Sequence, residues 1–191
     1  MFEGFEQKRM PGEGAEINLR HNGRAGSDAP AVLMIHGYPP THIIWRHLAP
    51  RLAETHHVVC PDLRGYGDSS CPPTDADHIP YSKRAMARDL VKVMADLGHE
   101  EFAIVSHDRG ARVGHRLAMD FPDKVSKLCS LDVVPTGSVW QRANKNWAMG
   151  SFHWLFLAQP YPRPEIYLRQ EGFRGVYPMQ EGYTHTSAVV I

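Results

Sequence analysis

Apolar residues fall along this chain in two textures. Four short runs, Ala31–Ile35 and residues 57–60, 102–105 and 127–131, are apolar with little alternation. Runs of this kind predict strands buried on both faces, the habit of a parallel sheet. Between them, residues 43–54, 82–97 and 110–120 carry apolar positions at helical spacing. In the middle segment Ala85, Ala87, Leu90, Val91, Val93, Met94 and Leu97 line up, and Gly98 supplies the stop. Strand alternating with helix predicts βαβ units and the α/β class. Residues 15–20 and 5–10 add expected antiparallel strands at the start.

After Pro135 the pattern changes. Residues 139–157 are rich in large aromatic side chains (Trp140, Trp147, Phe152, Trp154, Phe156), and Pro160, Pro162 and Pro164 follow. The expectation is a core over residues 1–136 and a partial helical cap over residues 137–191. Residues 173–191 show no clear period and remain unassigned.

Composition narrows the function classes. The 21 Lys and Arg are matched by 21 Asp and Glu. Nucleic-acid binding is not expected, because it calls for an excess of basic residues against phosphates, and neither is a polybasic membrane anchor. No run approaches the roughly 18 apolar residues of a membrane span, and residues 1–10 lack a secretory pattern. A cytoplasmic protein is expected. Cys60, Cys71 and Cys129 form neither a disulfide framework nor a zinc spacing. Cys60 and Cys129 lie in apolar runs and are expected as reduced core residues, and no metal or cofactor is implied.

Three loops carry candidate chemistry. Ser106-His107-Asp108-Arg109-Gly110 has the form of a nucleophile elbow, whose tight turn demands small flanking residues and lifts the central side chain, here Asp108. An Asp at a strand-to-helix junction can also be a plain N-cap. His36-Gly37-Tyr38-Pro39-Pro40 follows the first run, and its Tyr38–Pro39 bond is a candidate cis peptide. Asp62-Leu63-Arg64-Gly65-Tyr66-Gly67-Asp68-Ser69 follows the second run and is expected to shape the core. Arg109 and Arg112 are three apart and share a helix face. They sit where the helix dipole is already positive, so an anion should compensate them.

In this order, after successive strands, the three loops resemble the α/β-hydrolase fold. The resemblance is closest to its Asp-nucleophile branch of haloalkane dehalogenases, epoxide hydrolases and fluoroacetate (haloacetate) dehalogenases. Within that branch the chain is most similar to the fluoroacetate dehalogenases, from Met1 to about Pro164. The segments that carry it are residues 1–6, His36-Gly37-Tyr38-Pro39, Asp62-Leu63-Arg64-Gly65-Tyr66-Gly67, His107-Asp108-Arg109-Gly110, Leu131-Asp132 and His153-Trp154.

The resemblance implies an α/β-hydrolase fold with a mostly parallel sheet, incomplete at the C-terminal end, and the start of a helical cap. It implies Asp108 as nucleophile and Asp132 as the acid that orients a histidine. Main-chain N–H groups of Tyr38 and Arg109 would form the oxyanion hole. Arg109 and Arg112 would hold a substrate carboxylate, and His153 and Trp154 would donate to the departing halide. The implied substrate is a short halogenated acid, and a homodimer is left open. An ionised carboxylate needs no base to displace halide from carbon, but hydrolysis of the resulting ester does.

The resemblance implies a histidine beyond the cap, and none with that pattern is found. The one histidine after His153 is His185, in a stretch without family pattern. The chain is therefore expected to be a C-terminally truncated form of the fold. Two further readings stay open: an epoxide hydrolase, and an inactive remnant or interaction module.

Overall fold

The computed structural model describes residues 2–169, apart from 25 and 27. The described chain forms two units, residues 2–133 and 134–169. The first is built on six strands: β1 (Glu6–Pro11), β2 (Glu16–His21), β3 (Ala31–Ile35), β4 (His57–Pro61), β5 (Phe102–His107) and β6 (Val125–Leu131). Their order is β1-β2-β4-β3-β5-β6. β1–β2 and β2–β4 are antiparallel, and the pairs β3–β4, β3–β5 and β5–β6 are parallel. The α/β expectation and the antiparallel start both hold.

The sheet is sandwiched because β3 and β4 are apolar at nearly every position, and successive side chains leave a strand on opposite faces. Leu33 and Ile35 face a cluster with Leu90, Met94, Val113 and Leu117. These come from α2 (Lys83–Asp96) and α3 (Asp108–Asp120). Val32 and Met34 face the other cluster, with Phe2, Phe5, Trp45 and Val58. α2 starts where Ser82 accepts from the Ala85 amide at 3.2 Å, and it stops at Gly98, whose φ of 87° suits glycine.

Three expectations need correction. Residues 43–54 do not form one helix: a 3₁₀ turn spans His42–Trp45, and α1 is only Ala49–Leu52. Pro50 lacks an N–H, so a helix tolerates it in the first turn but cannot run through it. β6, expected as a buried strand, is exposed at six of its seven positions. Among the described residues it has a neighbour on one side only, and Lys127 and Ser130 interrupt its apolar run. For the same reason Cys129 is exposed, while Cys60 on β4 is buried.

The second unit holds four short helices: α4 (Thr136–Arg142), α5 (Lys145–Gly150), α6 (Phe152–Leu157) and α7 (Arg163–Arg169). Trp140, Trp147 and Trp154 form a triangle of edge-to-face contacts, with ring centroids 5.3 to 5.7 Å apart. Such geometry lets each ring edge meet a negative face. Among the described residues no helix is long and apolar enough to cross a membrane.

Candidate active site

β5 runs straight into α3: His107 ends the strand and Asp108 begins the helix. The turn forces Asp108 to φ 48°, the left-handed region that few side chains other than Asn and Asp tolerate. Its carboxylate is not a plain N-cap. The Tyr38 amide donates to Oδ2 at 3.1 Å, and the Arg109 amide donates to the same oxygen at 2.5 Å. The two main-chain N–H groups that the resemblance assigns to an oxyanion hole thus converge on one carboxylate oxygen.

Glycine makes this convergence sterically available. A Cβ on Gly37 would stand 2.6 Å from the Asp108 Cβ, and one on Gly110 only 2.1 Å from the His36 carbonyl oxygen. The end of β3 and the start of α3 therefore touch main chain to main chain. His36 locks the loop: buried, it donates from Nδ1 to the Gly37 carbonyl at 2.7 Å and accepts the Leu63 amide at Nε2, 3.0 Å away. Burial holds its pKa below the usual value, which suits the neutral ring that this donor–acceptor pattern needs. The Tyr38–Pro39 peptide is cis.

The third loop is fastened by buried charge. Asp62 accepts from Asn18 Nδ2 at 2.8 Å, from the His42 amide at 2.9 Å and from His42 Nδ1 at 2.7 Å. The hydrogen bonds and charge from His42 keep its carboxyl below the usual range despite burial. Arg64 and Asp89 form a buried ion pair at 2.7 Å, and Asp89 also accepts the Gly14 amide. The loop shapes the core as expected, but it also reaches the site. Tyr66 packs edge-on against the His36 ring, 5.0 Å between centroids. The Arg109 guanidinium lies over the Tyr38 ring, 5.1 Å from the centroid, a cation–π distance, and its charge opposes the rise that burial gives the Tyr66 phenol.

Arg109 and Arg112 therefore gather beside Asp108 on the first turn of α3, and Asp108 offsets their charge at the positive helix end. Burial pulls the Arg112 guanidinium below its ordinary pKa, while Asp108 pulls it back up. Lys83 at the start of α2 joins this group. Burial, and then repulsion from Arg109 and Arg112, lower its ammonium to about 8.

The expected acid lies in quite different surroundings. Asp132 follows β6 at φ 50°, with its side chain 92% exposed and Oδ2 3.8 Å from His107 Nε2. That distance is too long for a hydrogen bond. His153 and Trp154 lie on α6 in the second unit, where Trp154 belongs to the tryptophan triangle. His185 lies outside the described residues. Among the described residues no group of three His, Cys, Asp or Glu side chains could hold a metal ion.

Sequence reasoning missed Tyr66 and Lys83 as neighbours of the site. Tyr66 was legible as a member of the Gly65-Tyr66-Gly67 turn, but a turn motif does not say where its side chain lands. Lys83 had no local signal, because the packing of α2 against α3 brings it near.

An elbow carboxylate, a His-Gly loop after β3 and a mixed sheet of this order define a class. The chain belongs to the alpha/beta hydrolase fold family, whose model matches residues 30–160. Among curated proteins it is 46% identical to a fluoroacetate dehalogenase from Burkholderia sp, over 86% of this chain and 53% of that protein. It is 41% identical to a soluble epoxide hydrolase from Corynebacterium sp. (strain C12), over 60% of this chain and 38% of that one. The chain thus spans about half the length of these relatives or less. Among solved structures, a protein from Nostoc sp PCC 7120 aligns with a TM-score of 0.82 at 47% identity, covering 93% of this chain and 58% of that one. Epoxide hydrolase A from Mycobacterium thermoresistibile aligns at 0.63 and 30% identity, covering 80% of this chain and 45% of the other.

Proposed function

We propose that this chain carries the nucleophilic part of a hydrolase that cleaves the carbon–halogen bond of a short haloacid through an ester on Asp108. One observation carries the reading: both main-chain donors meet the same carboxylate oxygen, Oδ2. The second oxygen, Oδ1, is then the attacking atom. It displaces halide from the α-carbon, the C–O bond forms as the carbon–halogen bond breaks, and the halide leaves with the bonding pair. Oδ2 becomes the ester carbonyl oxygen, already seated where charge develops when water attacks the ester carbon.

In this reading Arg109 and Arg112 hold the substrate carboxylate, which gives the two like charges their anion. His153 and Trp154 donate N–H groups to the departing halide. Asp132 orients the histidine that activates water. The similarity to the Burkholderia fluoroacetate dehalogenase favours a haloacetate over an epoxide.

Incubation with chloroacetate, followed by peptide-resolved mass measurement, tests this. A carboxymethyl ester on the peptide containing Asp108, absent from Asp108→Asn, is the expected result. Peptide resolution matters because Cys71 and Cys129 are exposed and also react with haloacetates. A folded wild-type chain with no ester on Asp108 contradicts the reading. Faster modification of Asp108 by a small epoxide than by chloroacetate would move the substrate class to epoxides.

A further inference from the structure

The segment that carries the Tyr38 amide is pinned at both ends to one short stretch after β4. At its start, His36 Nε2 accepts the Leu63 amide at 3.0 Å. At its end, the His42 amide and the His42 Nδ1–H both donate to Asp62 Oδ1, at 2.9 and 2.7 Å. Thr41 makes no side-chain cap for the 3₁₀ turn that follows, so Asp62 caps it from the end of β4. Asp62 is itself held: Oδ2 accepts Asn18 Nδ2 at 2.8 Å and the Asp68 amide at 3.2 Å. The His42 ring also packs on the buried Phe2 ring, 5.5 Å between centroids. Capping the turn needs only the His42 amide; the imidazole adds a second bond to the same oxygen.

Pro39, Pro40 and Thr41 alone separate Tyr38 from His42. The two prolines have φ fixed by their rings, so a shift at His42 is passed on to the Tyr38 amide with little absorbed between them. We propose that His42, held by Asp62, is a positioning residue for the oxyanion hole: the pair keeps the Tyr38 N–H aimed at Asp108 Oδ2. This deepens the Asp108-ester reading above and rests on it for its chemical consequence. In that reading Oδ2 becomes the ester carbonyl oxygen, and charge gathers on it when a nucleophile adds to the ester carbon. A Tyr38 N–H that has drifted from Oδ2 stabilises that charge less. The loop after β4 then acts on the reaction through the loop after β3, without touching the substrate.

His42→Phe removes the Nδ1–H and keeps a ring against Phe2, while His42→Asn returns an N–H donor near the Nδ1 position. Amide hydrogen exchange, followed by NMR at Tyr38 and at Leu33 and Leu117 in the core, reads the clamp directly. In His42→Phe, Tyr38 exchange should be about tenfold faster, typical of a lost hydrogen bond to a charged group. It should return toward wild type in His42→Asn, with the core amides unchanged in both. A merely stabilising role would speed all three amides together. Cleavage of the Asp108 ester by hydroxylamine gives the chemical readout, because this amine needs no histidine base. Its nitrogen bonds the ester carbon, the C–O bond breaks, and glycolate leaves with the proton. That cleavage should be about tenfold slower in folded His42→Phe than in folded wild type, and equal for the two in urea. Equal acceleration at all three amides, no acceleration at Tyr38, or equal cleavage in the folded chains overturns the role given to His42. Wild type that takes no ester on Asp108 overturns the haloacid reading, while the exchange measurement still decides on the clamp.

Discussion

β5 has a buried neighbour on one side and an exposed one on the other. β3 is buried at all five positions, whereas β6 is exposed at six of seven. The two candidate carboxylates divide the same way. Asp108 leans toward β3, held by the Tyr38 amide, by the close approach of Gly37 and by the contact of Gly110 with the His36 carbonyl. Asp132 follows β6 and stands 92% exposed. Both have positive φ, 48° and 50°, yet only the strain at Asp108 is fixed from several sides. Among the described residues the two carboxylates therefore have unequal supports: Asp108 a packed cradle, Asp132 an exposed position after β6.

The largest expected effects lie on the packed side. Asp89→Ala leaves the Arg64 guanidinium buried and uncompensated, and should cost about 3–5 kcal/mol. Ile35→Ala, at a fully buried position, should cost about 2–5 kcal/mol. Leu131→Ala at the open edge is already 38% exposed and should cost under about 1 kcal/mol. Urea unfolding of the three variants checks the contrast. Similar costs at Ile35 and Leu131 would break it.

A smaller effect concerns pH and stability. Burial, followed by the charges of His99 and His21, lowers His57 to about 4, and His21, His36 and His99 are also lowered. Unfolded histidines protonate near their usual 6.5. Between these values the unfolded chain binds more protons, so stability falls as pH drops from about 6.5 toward 4. His57→Gln should flatten that fall in urea midpoints measured across the window. An unchanged slope would mean that His57 does not titrate there.

The smallest effect sharpens the cationic side of the cradle. Lys83 carries its charge below about 8 and loses it above. The half-saturating chloroacetate concentration should then rise about two- to threefold as pH passes through 8, consistent with one partly screened charge. Lys83→Gln should remove that step and raise the value at lower pH. A step that persists in Lys83→Gln would assign it to another group.

Much of this was legible in the sequence, and the exceptions share a cause. The four apolar runs and the Gly98 stop are local signals, and each marks its element in the structure. The Tyr38, Asp108 and Arg109 main-chain contacts follow from small residues at fixed offsets, which a motif records. Periodicity did not distinguish β3 from β6, because burial depends on what lies beside a strand and not on its own composition. Nor did it place Tyr66 against His36 or Lys83 near Arg112, since those meetings are made by tertiary packing. Pro50 was a visible breaker within residues 43–54, and the apolar spacing masked it.

The division of labour between the two carboxylates is tested most directly by the rate of Asp108 ester formation in Asp132→Asn, read against wild type and Asp108→Asn at the Asp108 peptide. The expected rate in Asp132→Asn lies within about twofold of wild type, the scatter normal for independent sites, with no ester in Asp108→Asn. A tenfold or greater loss in Asp132→Asn, or an undiminished adduct on that peptide in Asp108→Asn, would contradict it.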